Sequence, residues 1–214
     1  MMPKPPPYEP PPRRPDWSPV VPGAPPVPVA IPIVDVPGGH DPFERLFEQR
    51  RVFLRGRFDG ASATRLAAEL MALDGESARD VTLVITSPGG PLDDAWSVLD
   101  VLAVMRAPVH TTALGQASGT AAAVLACGTG RRRVAAHATV TLRLTEPDEL
   151  RGNADEVRVA AEQLAARRNA FAQRLAEATG RPVADLVAAL DNGPVLTAGD
   201  ACAAGLADDV LSKP

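Results

Sequence analysis

Apolar and polar positions along this chain follow two different periods, and the period switches at short runs of glycine, proline and aspartate. A helix-like stretch over 43–49 leads into an apolar strand at Val52-Phe53-Leu54. Asp59-Gly60 then opens a helix from Ser62 to about Leu73, with Leu66, Leu70 and Leu73 on one face. The run Val81-Thr82-Leu83-Val84-Ile85 predicts a second strand that stops at Ser87-Pro88-Gly89-Gly90. A helix over about 92–105 follows, carrying Trp96, Val98, Leu99, Val101 and Leu102. A third strand over 109–114 ends at Gly115-Gln116-Ala117-Ser118-Gly119, where an alanine-rich helix over 120–127 begins. The next strand spans about 133–144, with Val140, Leu142 and Leu144 sharing one face. A long helix rich in Ala, Glu and Arg covers about 155–178 and closes at Thr179-Gly180, glycine being suited to a left-handed cap. Helices over 182–190 and 198–204 lead to Gly205-Leu206-Ala207-Asp208. Strands and helices alternating across glycine-rich turns predict right-handed βαβ crossovers and a mainly parallel sheet, an α/β domain.

The first 40 or so residues break this pattern. Most of the 23 prolines lie there, in runs such as Pro5-Pro6-Pro7 and Pro10-Pro11-Pro12. Proline removes backbone donors and holds its neighbours extended, so residues 1–41 read as a proline-rich, largely disordered arm and 42–214 as the folded domain. The arm is either a spacer or a proline-motif ligand with Tyr8 and Trp17 as its large aromatics.

A length of 214 residues and a hydrophobic fraction of 45% suit one main core. The net charge is −4 and the arginines are scattered, which indicates neither a nucleic-acid track nor a membrane-surface patch. Arg131, Arg132 and Arg133 form the one basic run and read as a solvated turn. Cys127 and Cys202 each sit among alanines, outside any metal-spacing motif, and read as buried free thiols; no cofactor or metal is expected. No apolar stretch approaches the ~20 residues that span a bilayer, and no signal-peptide core is present, so a cytoplasmic location is expected.

Ser87-Pro88-Gly89-Gly90 after one strand, Gly115-Gln116-Ala117 after the next, Thr179-Gly180 closing the long helix and the terminal segment 201–208 together resemble the ClpP family, the proteolytic subunits of ATP-dependent Clp protease, within the crotonase-like superfamily. The resemblance covers about 43–211, and its spacing is unbroken from Ser87 to Asp208. It implies a ClpP/crotonase-like fold with a protruding long helix. It also places the family's Ser-His-Asp triad on Gly119, Leu144 and Gly193, and its oxyanion-hole N–H groups on Gly90 and Thr120.

Triad chemistry needs a hydroxyl or thiol, an imidazole to take its proton and an acceptor to orient that imidazole. None stands at the three positions. Ser118 is the nearest hydroxyl, but a one-residue shift at a helix start turns a side chain by about 100°, so it is expected to cap or pack at the turn. His137 lies about 23 Å from Leu144 along the strand at ~3.3 Å per residue, and His110 about 16 Å short of the Gly115 turn by the same rise. His40 belongs to the arm, and arginine cannot serve as a general base, which excludes Arg143.

The resemblance therefore implies a non-catalytic ClpP-like subunit, a pseudoenzyme, that joins a homo- or hetero-oligomeric ring with ClpP-type subunits. The alternatives are an active ATP-dependent serine endopeptidase subunit and a stand-alone protein-binding scaffold that uses the arm. The long helix, with Leu164, Ala165, Phe171 and Leu175, resembles the handle by which the family's rings stack. Thr145-Glu146-Pro147-Asp148-Glu149 replaces the family's glycine-rich strand beside it. Thr82, Val84, Val104 and Val134 replace the aromatics of the family's docking pocket for an AAA+ unfoldase, which leaves docking of that ATPase open.

Overall fold

Strands that alternate with helices across short turns form a parallel sheet packed against those helices. The computed structural model, which describes residues 41–144 and 153–211, has a six-stranded parallel sheet and seven helices. In chain order the elements are α1 (Pro42–Glu48), β1 (Arg51–Arg57), α2 (Gly60–Glu76), β2 (Val81–Gly89), α3 (Leu92–Val104), β3 (Val109–Ser118), α4 (Thr120–Ala126), β4 (Arg132–Ala135), β5 (Thr139–Thr141), α5 (Ala154–Thr179), α6 (Val183–Asn192), α7 (Ala198–Ala203) and β6 (Asp209–Leu211). The sheet order is β1-β2-β3-β4-β6, and β5 also pairs with β3. This is the expected α/β fold, consistent with the ClpP/crotonase-like class.

Local signals start and stop the helices. The Asp59 carboxylate accepts from the Ser62 N–H at 2.9 Å while the Ser62 hydroxyl accepts from the Asp59 N–H, a capping box of the kind that stabilises a helix by about 1 kcal/mol. Asn153 and Glu156 form a second box at the start of α5, and Gly180, at φ 70°, closes that helix. Leu66, Leu70 and Leu73 of α2 are all buried, together with Val52, Leu54, Leu83 and Ile85 of the sheet. Truncating any of these leucines to alanine should cost about 2–5 kcal/mol. α4 is buried on every side, as a helix of small residues can be when it sits inside the core. Trp96 of α3 meets Phe171 of α5 edge to face at 5.6 Å, which anchors the base of the long helix. Upstream of Phe171, α5 carries no buried residue.

Several boundaries differ from those expected. β2 runs on through Ser87-Pro88-Gly89, and β3 runs on through Gly115 to Ser118, because each strand's later backbone groups still find a neighbour. The single strand expected over 133–144 is two strands: β4 pairs with Thr111–Ala113 in numbers 111–113 of β3, and β5 pairs with 116–118. Gly115, at φ 69°, bends β3 between those two stretches, so the neighbouring chain must break there too. The terminal strand β6, parallel to β4, was not expected from the pattern. The arm with its Tyr8, Trp17 and His40, and the segment 145–149, lie outside the described residues. Among the described residues no helix is long and apolar enough to cross a membrane.

Two arginines are structural. Arg132 is no solvated-turn residue: its Nη1 donates to the carbonyls of Ala126, Ala178 and Gly205 at 2.9–3.1 Å, and its Nε and Nη2 engage the Asp208 carboxylate. Helix ends leave carbonyls without partners, and a planar cation can gather several of them. Arg50, only 5% exposed and held at φ 59°, does the same beyond α2, where its Nη2 donates to Leu73, Ser77 and Arg79. Cys127 is buried as expected, whereas Cys202 is only partly so.

Candidate functional site

The C-terminal ends of β2 and β3 meet the start of α4, the place where an open parallel sheet presents backbone groups to a ligand. Ser87 shapes the first turn: its hydroxyl donates to the Gly56 carbonyl at 2.6 Å and accepts from the Gly89 N–H at 3.1 Å. Gly89 adopts φ 89°, and a Cβ there would stand 2.4 Å from the Ser118 carbonyl oxygen. At Gly90 a Cβ would fall 1.5 Å from the Phe58 carbonyl oxygen. Both positions therefore require glycine for space alone, whatever the chemistry next to them.

Gly119 joins β3 to α4 at φ 55°, ψ −122°, a sharp strand-to-helix turn of the kind that lifts a residue clear of a sheet. Its N–H donates to the Thr141 carbonyl at 2.7 Å. A Cβ at Gly119 would meet the Arg143 carbonyl oxygen at 3.4 Å and the Leu144 Cδ2 at 3.8 Å, so positions 119 and 144 face each other. Leu144 is half-buried just beyond β5, and its N–H donates to the Leu190 carbonyl of α6 at 2.9 Å. Gly193 caps the end of α6, and its carbonyl lies 3.5 Å from the Thr141 hydroxyl. Thr141 thus touches both Gly119 and Gly193. A Cβ at Gly193 would stand 2.4 Å from the Ala189 carbonyl oxygen, so the helix end leaves no space for any side chain.

The Gly90 N–H beside this turn already has a partner within the chain. The Gly90 N–H donates to the Thr120 hydroxyl at 2.9 Å, and that hydroxyl lies 3.2 Å from the Gly90 carbonyl. Thr120 is fully buried. The family resemblance points to position 120 for its backbone N–H alone, whereas in the structure its side chain holds the turn. The signal available was a β-branched hydroxyl at the first position of an otherwise alanine-rich buried helix.

No described histidine approaches the turn. His110 sits near the start of β3, with Nε2 2.9 Å from the Asp80 carboxylate and Nδ1 accepting from the Arg131 N–H at 2.7 Å. That pairing places the ring proton on Nε2. His137 occupies the exposed turn between β4 and β5 rather than a continuous strand. Ser118 is 5% exposed and its hydroxyl accepts from the Gln116 side chain at 2.9 Å; it packs at the end of β3 and does not cap α4. The Cys127 thiol is pushed up by burial to about 11, which keeps it protonated and unreactive. Among the described residues no group of three or more His, Cys, Asp or Glu side chains is placed to hold a metal.

Beside Gly193 an apolar cavity of about 360 Å³ opens between α6 and the sheet, lined by Leu142, Leu186, Ala189 and Leu196, with Arg181 and Asp185 at its rim. Of the four positions compared with an unfoldase-docking pocket, Thr82 and Val84 are half-buried on β2, Val104 is 78% exposed and Val134 is fully buried. Val134 therefore cannot contribute to that surface.

The chain matches the Clp protease family over residues 38–214 and belongs to it. It is similar to the ATP-dependent Clp protease proteolytic subunit 1 of Thermobifida fusca (strain YX), at 32% identity over 173 residues, which covers 80% of this chain and 78% of that protein. Proteolytic subunit 2 of Streptomyces avermitilis is 34% identical over 176 residues, covering 81% of this chain and 88% of that one. Proteolytic subunit 2 of Corynebacterium jeikeium (strain K411) is 33% identical over 173 residues, covering 80% and 83%.

Proposed function

We propose that this chain is a non-catalytic subunit of a Clp-type proteolytic complex, a cytoplasmic pseudoprotease that assembles with ClpP-type subunits and leaves hydrolysis to them. The observation that carries this reading is the direct opposition of Gly119 and Leu144. A side chain at 119 would reach the residue at 144, yet the pair offers a hydrogen atom and an aliphatic group where acyl transfer requires a nucleophile and a base. Gly193 adds to it, since a Cβ there would stand 2.4 Å from the Ala189 carbonyl oxygen, so an aspartate would have to displace the end of α6. The two unpaired cysteines suit a reducing compartment. The exposed upstream part of α5, continuous with the apolar anchor at Phe171 and Leu175, supports assembly through that helix.

The active-peptidase alternative would need Ser118, whose hydroxyl is buried and held by Gln116 with no imidazole of the described residues in reach. The test is an assembly and activity experiment on the full-length chain, alone and with a catalytically competent Clp proteolytic subunit. Native mass spectrometry should show mixed rings, and peptide hydrolysis should follow the competent subunit only. Hydrolysis by this chain alone, or its failure to enter any oligomer, overturns the reading.

A further inference from the structure

The sheet buries one of its faces and leaves the other open. Leu83, Val109, Ala113 and Val134 are fully buried in the core. Positions that alternate with them reach the surface: Leu114 is 38% exposed, and Val84, Arg133 and Ala135 are half-buried. Successive side chains of a strand point to opposite faces, so these four share the open one. Leu211 of β6, 37% exposed, pairs with Ala135 and joins them.

On that face Arg133 lacks a counter-charge. Its register neighbours are Thr112 on β3 and Asp209 on β6, but the Asp209 carboxylate is taken by Arg131, whose Nη2 stands 2.6 Å from it. Two arginines thus compete for one carboxylate. The Arg133 Nε is buried and has no hydrogen-bond partner among the described residues. A buried donor left unpaired is costly, and more so on a cation, so this position is short of one anion. Two residues further along the strands, Leu114, Ala135 and Leu211 form an apolar shelf. The step from Arg133 to Ala135 is roughly 7 Å, which is also the spacing of residues i and i+2 on one side of any extended chain.

We propose that this open face binds an extended segment of a partner protein, one that carries a carboxylate side chain two residues from an aliphatic one. The carboxylate pairs with the Arg133 guanidinium, and the aliphatic side chain seats on the shelf of Leu114, Ala135 and Leu211. A guanidinium meets a carboxylate in a planar fork, a stronger bond than one between neutral groups, and Thr112 lies beside it in register. Charge selects the occupant, because a neutral or basic segment would leave Arg133 as it is or repel it. The proposal is independent of whether the chain hydrolyses peptides.

Fluorescence anisotropy with the full-length chain and a fluorescein-labelled peptide, Thr-Leu-Thr-Glu-Thr amide, tests it. This peptide should bind saturably below millimolar concentration, and its Gln-for-Glu analogue about tenfold more weakly, as the loss of a charged hydrogen bond implies. Arg133→Gln should weaken the Glu peptide by the same factor and leave the Gln peptide within about twofold. Asp209→Asn removes the competing carboxylate and should tighten the Glu peptide. Since Arg133 Nε bonds to nothing described in the fold, Arg133→Gln should not lower Tm, which separates a binding role from a structural one. No saturable binding, equal binding of the two peptides, or an Arg133→Gln variant that binds both as the parent does overturns the proposal. If sedimentation velocity shows an oligomer of the parent that Arg133→Gln alone dissociates, the face is an interface between copies, and the assignment to a separate partner segment is overturned.

Discussion

Gly119 and Leu144 face each other at van der Waals distance: the Cβ that Gly119 lacks would stand 3.8 Å from the Leu144 Cδ2. Position 119 thus has no side chain to present, and its neighbour at 144 is aliphatic. The purified chain should hydrolyse no fluorogenic peptide above the blank, and a fluorophosphonate probe should label no serine. Labelling at Ser118, detected by peptide mass spectrometry, would show a nucleophile where the structure has a buried, hydrogen-bonded hydroxyl.

Restoring Gly119→Ser, Leu144→His and Gly193→Asp together should yield a folded but inactive, or barely active, protein. The serine fits the space at 119 but must adopt a positive φ, at a cost of about 1–3 kcal/mol. The aspartate does not fit, because its Cβ would overlap the Ala189 carbonyl at 2.4 Å and must displace the end of α6. Misplacement by about 1 Å can lower a rate on the order of 100-fold. Urea denaturation should show Gly193→Asp as the most destabilising of the three single changes. Turnover near that of a competent Clp proteolytic subunit would show that α6 yields easily.

Thr120→Val should destabilise the fold by about 1–3 kcal/mol, since it leaves the Gly90 N–H beside a methyl group. Thr120→Ser retains the hydroxyl and should recover most of that loss. Equilibrium denaturation measures both. Exchange of the Gly90 amide should quicken in the valine variant alone, and equal rates in the two would mean that the hydroxyl does not hold that amide.

The Arg132 guanidinium, through its hydrogen bonds, holds the Asp208 carboxyl below the usual carboxylate range. A carboxyl with a depressed folded value contributes stability that is complete above its unfolded value, about 3.9, and disappears as the pH falls through the folded one. Asp208→Asn should therefore lower Tm near neutral pH and flatten the fall of Tm on the acid side, measured by circular dichroism. Since the Asp208 side chain is 38% exposed, solvent screening keeps this effect modest. Arg132→Ala should cost more, on the order of 2 kcal/mol or above, because it strands the carbonyls of Ala126, Ala178 and Gly205 at all pH values.

Arg50→Ala should be as damaging as the loss of a core leucine, about 2–5 kcal/mol by thermal or chemical denaturation. Its guanidinium is buried beneath the end of α2 and is the partner of the Leu73, Ser77 and Arg79 carbonyls. Arg50→Lys should rescue little, since an ammonium lacks the planar fork that reaches several carbonyls at once.

The pattern of the chain by itself determined the order of strands and helices, the parallel sheet and the face that α2 buries, because periodicity and caps are local properties. Glycine in the turns at 89, 90 and 119 was legible too, and so was the absence of a nucleophile, base and acid at 119, 144 and 193, once the spacing resembled a known family. What lay beyond it were relations between residues distant in sequence. Arg132 in its basic triplet carries no sign of the three carbonyls that converge on it from Ala126, Ala178 and Gly205. Arg50 gives none of its place beneath α2, and Thr120 none of its bond to Gly90. The break between β4 and β5 follows from a bend in β3 at Gly115, a neighbour's geometry rather than a property of residues 133–144. Only the folded chain decided these, because a backbone donor or carbonyl takes whichever partner the packing brings within about 3 Å.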